Sequence, residues 1–151
     1  MKLHHVAVQT ADLDNTSRWY RDFFEGCRVN WQLEEFSELT ESRLPGIVRM
    51  AELEVDGLRF HVTERSGVRA ADGDPRTPVF QHCGLFVDDV DALTRARERW
   101  IALYESNDYR FERPDRPSEI VFDSDGVGSL YVLDPNGLEF ELTYVPPNTD
   151  R

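Results

Sequence analysis

Four side chains in this sequence have the types and the placing to hold a divalent metal: His5, His61, His82 and Glu141. Three imidazoles and a carboxylate suit a first-row ion such as Zn, Ni, Fe, Co or Mn. Each lies in a stretch that alternates polar and apolar residues, the period of a strand with one buried face. A sheet holds such ligands in a preorganised array and leaves coordination places open to substrate or water. Taken singly, a glutamate or histidine on a strand is more often a solvated or structural residue. The assignment therefore rests on how the four are related.

They are related by a repeat. Asp12 and Asp14 follow His5 by seven and nine residues, and Asp89 and Asp91 follow His82 by the same steps. Gly57-Leu58-Arg59-Phe60-His61 aligns with Gly137-Leu138-Glu139-Phe140-Glu141, each placing a polar residue four after a hairpin glycine. The offset is 77 at the module starts (5 to 82) and 80 at their ends (61 to 141). Matching histidines, aspartates and hairpin ends together indicate a duplicated strand–helix–three-strand unit. Ala7 and Gly84, two residues after the strand histidines, leave room beside them.

The elements that must position these groups follow from periodicity. In the first module, strands are expected at 3–9, 28–33, 46–55 and 58–63. A helix carries Leu13, Thr16, Tyr20, Phe23 and Phe24 and stops at Gly26. The acidic stretch 34–43 is either a short helix or a flap. Asp56-Gly57 signals a tight hairpin. In the second module, 79–87, 103–113, 118–123, 128–133 and 138–143 read as strands. Asp88-Asp89 opens a helix with Val90, Leu93, Arg97, Trp100 and Ile101 on one stripe. Asp134-Pro135-Asn136-Gly137 is a turn feeding the strand of Glu141. The expected organisation is a first module at 1–66, a linker at 67–78, a second module at 79–146 and a tail at 147–151. Parity places His5, His61, His82 and Glu141 on the face away from each helix. His4 is expected on the helix-covered face with Val6 and Val8, so His5 is the preferred ligand.

The formal net charge of −12 argues against nucleic acid and anionic membranes as partners. Nothing in the chain has the length of a membrane span or the pattern of a signal peptide, so a cytoplasmic location is expected. Cys27 and Cys83 are too few for a disulfide framework and read as reduced core residues.

The chain resembles the vicinal oxygen chelate superfamily, which includes glyoxalases, bleomycin-resistance proteins and extradiol dioxygenases. The resemblance is carried by His5-Val6-Ala7-Val8 with Asp12-Leu13-Asp14 and Trp19-Tyr20, by His82 with Asp88-Asp89-Val90-Asp91, and by the stretch from Asp134 to Leu142. It implies an α+β fold in which tandem βαβββ modules form a curved, cup-shaped mixed sheet with helices outside. It also implies metal ligands at His5, His82 and Glu141, with a fourth position at His61 where glyoxalase-type members usually carry a carboxylate or amide. One carboxylate leaves a divalent site at about +1 and two leave it near zero, so the histidine makes for a more electrophilic site. A ligand at His61 favours a metal-dependent lyase or isomerase that chelates a small oxygenated substrate and stabilises an enolate, with Glu141 and His61 as catalytic residues. The alternatives are an Fe(II)-dependent extradiol-type dioxygenase with His61 outside the ligand set, and a metal-free protein that binds an antibiotic-like small molecule. Glu35, Glu38, Arg49, Arg59, Tyr131 and Glu139 are candidates to line or gate the site. A homodimer is expected.

Overall fold

The computed structural model describes residues 4–67, 82–113, 115–124 and 126–147. The expected linker falls almost wholly outside these residues. The chain divides into two compact units, Met1–Ala70 and Ala71–Arg151. Both are α+β, and each has a four-stranded mixed sheet.

The first unit runs β1 (Val6–Thr10), α1 (Leu13–Phe23), β2 (Arg28–Leu33), α2 (Glu38–Arg43), β3 (Ile47–Val55) and β4 (Leu58–Arg65). Its strand order is β1-β4-β3-β2, with β1 parallel to β4 and the other pairs antiparallel. The second unit runs β5 (Cys83–Phe86), α3 (Val90–Glu105), β6 (Val121–Phe122), β7 (Gly128–Leu133) and β8 (Glu139–Tyr144). Its order is β5-β8-β7-β6 with the same parallel and antiparallel pairs. The duplication inferred from offsets is thus a duplication of topology. Ala7 pairs with His61 in one sheet, and Gly84 pairs with Glu141 in the other.

Both helices start as the aspartate spacing predicts. Asp12 caps α1 by accepting from the Asn15 N–H at 2.9 Å, and Asp89 caps α3 by accepting from the Ala92 N–H at 2.7 Å. α1 packs on β3 and β4 through Leu13, Trp19, Tyr20 and Phe23 against Ala51, Leu53, Phe60 and Val62, all buried. α3 packs on β7 and β8 through Leu93 and Trp100 against Leu130, Val132 and Phe140. The opposite faces of the sheets carry the polar alternates. Of the two cysteines, Cys83 is buried and Cys27 half-buried, both are free, and burial pushes the Cys27 thiol up to about 11.

One expectation left open is decided, and two are corrected. The stretch 34–43 contains a six-residue helix capped by Ser37. No strand spans 103–113: α3 continues to Glu105 because Trp100, Leu103 and Tyr104 extend its stripe, and Asn107 leaves it with φ 60°. Phe111 then folds back onto Trp100 and Tyr104. Of 118–123 only Val121–Phe122 forms a strand, since Ser118 bonds Tyr131 both through its backbone N–H and through its Oγ, outside the ladder. The strand expected over 79–87 is seen as Cys83–Phe86, with 79–81 outside the described residues.

Each hairpin aims the final strand of its unit. Asp56 and Gly57 have φ of 46° and 81°, the two positive values that a two-residue loop of the favoured twist requires. The second turn is held by Asp134, which is fully buried. Its Oδ1 accepts from the N–H groups of Asn136 and Leu138, both at 2.8 Å, and its own N–H donates to the Leu138 carbonyl. Asp134→Ala would leave two backbone donors without their acceptor. We expect a loss of about 2–3 kcal/mol in denaturant unfolding.

Candidate functional site

In the first unit, β1 and β4 bring His5 and His61 together. Their rings stack at 3.7 Å between centroids and 9° between planes. Trp31 of β2 meets the His61 ring edge-on at 5.0 Å. His61 Nε2 lies 2.9 Å from Glu52 Oε2, and Asn30 Nδ2 donates to Glu52 Oε1 at 2.9 Å. Hydrogen bonds from Asn30 and then His61 hold the Glu52 carboxyl below its ordinary range. The acceptor is therefore ionised and the proton of the contact sits on His61 Nε2, which in the neutral imidazole leaves the lone pair on Nδ1. Burial, and then the neighbouring His61, lower the pKa of His5, favouring the neutral imidazole that a metal needs.

His4 does not lie on the helix-covered face. It lies before β1, it is exposed, and its ring meets those of His5 and His61. Its Nδ1 sits 2.9 Å from His5 Nδ1, and its ring is 5.9 Å from that of His61. The donor atoms of His4, His5 and His61 lie within 4.8 Å of one another. Parallel rings 3.7 Å apart share no point in both ring planes. A common ion therefore requires one ring to turn, and the broad second torsion of histidine allows it. Glu52 anchors His61, which leaves His5, in contact with His4, as the ring that would turn to hold an ion.

In the second unit, His82 Nε2 lies 3.0 Å from Glu141 Oε2, and His82 Nδ1 lies 3.6 Å from Glu139 Oε1. Ser129 and Tyr131 each donate a hydroxyl to Glu141 Oε1 at 2.9 Å. One oxygen of Glu141 is thus fixed by two donors and the other faces the histidine. The Glu141 contact raises the pKa of the Tyr131 phenol, keeping it a proton donor. A Cβ added at Gly84 would meet nothing within 4 Å, in keeping with the room expected there.

Of the four sequence-predicted residues, His5 and His61 are in contact in the first unit, and His82 and Glu141 in the second. The surrounding candidates divide. Tyr131 and Glu139 reach the second-unit pair. Arg59 lies 3.9 Å from both Glu52 and Glu54. Arg49 is committed elsewhere, to Asp14 and Glu64 beside the start of α1. Glu35 and Glu38 are exposed, outside the sheet. Sequence reasoning missed Glu52 and Ser129. Glu52 was recoverable: a two-residue hairpin at Asp56-Gly57 pairs Val55 with Leu58 and, counting back, Glu52 with His61. Ser129 carries no such signal, because a serine on an alternating strand is unremarkable in type.

Imidazoles in the first unit, and an imidazole with a carboxylate in the second, are donor types that suit a divalent first-row ion. His5→Ala is expected to lower the affinity for Zn(II) or Ni(II) by about two orders of magnitude, the share of one ligand. His4→Ala should stay within about threefold, since His4 is solvated. Calorimetric titration of both variants checks this, and the reverse order would make His4 the ligand.

The family model for the glyoxalase/bleomycin resistance protein/dioxygenase superfamily matches residues 2–142. No curated protein sequence is significantly similar to the chain. Solved structures share the fold. A glyoxylase/bleomycin resistance protein/dioxygenase domain from Frankia sp. EAN1pec has a TM-score of 0.71 at 16% identity, covering 97% of this chain and 98% of that one. A lactoylglutathione lyase from Agrobacterium tumefaciens has a TM-score of 0.60 at 20% identity, covering 95% and 92%. The fosfomycin resistance protein FosX from Listeria monocytogenes, complexed with Mn(II) and sulfate ion, has a TM-score of 0.62 at 14% identity, covering 97% and 93%. None of the described helices is long and apolar enough to cross a membrane.

Proposed function

Since the chain belongs to the glyoxalase/bleomycin resistance protein/dioxygenase superfamily, we propose that it is a metal-dependent lyase or isomerase acting on a small oxygenated substrate. His5, His61, His82 and Glu141 are the donors we assign to the ion. The observation that carries the reading is the matched register. His61 and Glu141 stand opposite Ala7 and Gly84, and His5 and His82 lie two residues before those small residues. A bound divalent ion would supply Lewis-acid stabilisation of charge developing on a substrate oxygen. The remaining work falls to the chain. Glu141 Oε1 is held by Ser129 and Tyr131, so Oε2 is the atom we assign to take and return the substrate proton. His61 offers Nδ1, because its other nitrogen is engaged by Glu52.

Metal analysis of protein purified without a histidine tag tests the proposal. We expect about one equivalent of a first-row divalent ion, by the ligand chemistry of the site. Substoichiometric metal, with small-molecule binding retained after chelation, would replace it with a metal-free binding protein. The engagement of His61 by Glu52 also favours a second reading, an Fe(II) dioxygenase using His5, His82 and Glu141 alone. Oxygen uptake with Fe(II) and a catechol would establish that alternative. The homodimer and the cytoplasmic location remain part of the proposal, and light scattering measures the first.

A further inference from the structure

Glu52 is a buried carboxylate, 4% exposed, on the sheet face away from the core. Strand pairing does not need it, because the ladder between β3 and β4 is made by backbone groups. Among the described residues, Asn30 from β2 and His61 from β4 hydrogen-bond to it, and Arg59 from β4 lies 3.9 Å away. Its counterpart in the second unit is Tyr131, which stands opposite Glu141 as Glu52 stands opposite His61. Tyr131 also spends its polar group on that neighbour. Both sheets thus use the same register position to hold the candidate ligand on the last strand.

We propose that Glu52 is a positioning residue for the metal centre: by accepting the Nε2 proton of His61 it makes Nδ1 the donor atom, and it supplies the negative charge that His61 itself lacks. This rests on the metal reading above and refines it. With Glu141 alone, a divalent site keeps about +1; counting the carboxylate behind His61 brings it near zero. The carboxylate that glyoxalase-type members usually carry on the last strand of this module is then moved one strand over, from β4 to β3, and acts through an imidazole. A histidine backed by a carboxylate is a more basic ligand with a fixed tautomer, and removing such a partner typically lowers metal affinity about 10- to 100-fold.

The test has two arms on the full-length chain. Nitrogen NMR of the imidazoles in metal-free protein reads the tautomer of His61. We expect protonated Nε2 in the unmutated chain and loss of that preference in Glu52→Gln. Calorimetric titration with Zn(II) should then show Glu52→Gln weaker by about 10- to 100-fold, with Glu52→Asp recovering part of the loss. A structural role alone would move thermal stability and leave the tautomer as it is. Protonated Nδ1 on His61 in the unmutated chain overturns the proposal without any variant, so a misfolded Glu52→Gln does not shelter it. An unchanged tautomer or an unchanged affinity in a folded Glu52→Gln overturns it as well. If the unmutated chain binds no metal, the metal reading fails and the metal-positioning role falls with it, while the tautomer arm still reports whether Glu52 orients His61.

Discussion

Glu141→Gln is expected to weaken divalent-metal binding by roughly two to three orders of magnitude while leaving the fold intact. Structural sites with four ligands bind with an apparent free energy of about 10–16 kcal/mol, or about 2.5–4 kcal/mol per ligand, and each 1.4 kcal/mol is tenfold. Glutamine has the size of glutamate, and its amide oxygen still accepts from Ser129 and Tyr131, so the hydrogen bonds at Oε1 persist. What changes is the atom facing His82. A carboxylate oxygen 3.0 Å from His82 Nε2 becomes an uncharged amide end. Calorimetric titration with Zn(II), alongside thermal unfolding of the metal-free protein, separates the two effects. Unchanged affinity would remove Glu141 from the ligand set and leave it as the partner of His82. The same variant tests the proton-carrier role, because an amide cannot take up a substrate proton at neutral pH.

The prominence of Glu141 follows from local rules. A strand of strict alternation after a turn of Asp, Pro, Asn and Gly can bury only one of its faces, and parity then assigns Glu141 to the other. Both helix caps were legible for a similar reason: Asp12 and Asp89 act on backbone groups three residues away. The repeat made the equivalence of His5 with His82 and of His61 with Glu141 legible, through offsets of 77 and 80. Three things were hidden. The fate of 103–113 depends on Phe111 folding back onto Trp100 and Tyr104, a contact with no periodic signature. The place of His4 depends on where β1 begins, and alternation read past the start of a strand misassigns what precedes it. Arg49 has the composition of a gating residue, but Asp14 and Glu64, distant in sequence, claim its guanidinium.

Glu52 belongs to neither group. Its type and parity were visible, and so was the hairpin that pairs it with His61. It lacked an equivalent carboxylate in the other module, because Tyr131 fills that position. A search for matching residue types passes over a position that keeps the register and changes the chemistry. Under the proposed metal reading, a ligand set with one carboxylate invites a search for a second on the neighbouring strand. Glu52, buried and held in its ionised form by Asn30 and His61, is the carboxylate on that strand.

Trp100→Ala should destabilise the second unit by about 3–5 kcal/mol, the range for emptying a buried aromatic site. Trp100 is fully buried, stacks on Tyr104 at 5.2 Å and 11°, and is packed by Phe111. Its Nε1–H donates to the Leu133 carbonyl at 2.7 Å, at the end of β7 where the chain enters the Asp134 turn. The side chain therefore fills the core under α3 and also pins the turn from which β8 starts. Trp100→Phe separates these roles. It keeps much of the packing, removes the donor and leaves a buried carbonyl without that partner, at a cost of about 1–3 kcal/mol. Urea unfolding followed by far-UV circular dichroism should show the midpoint falling for both variants with the slope unchanged. Metal affinity of Trp100→Phe then distinguishes rigid from loose coupling between turn and site. Asp134 still closes the turn through the N–H groups of Asn136 and Leu138, and Ser129 and Tyr131 still hold Glu141. We therefore expect affinity to remain within about threefold, since none of the polar groups that orient Glu141 has changed. A tenfold loss would show that the Trp100–Leu133 contact sets the register of β8 more strongly than its own turn does.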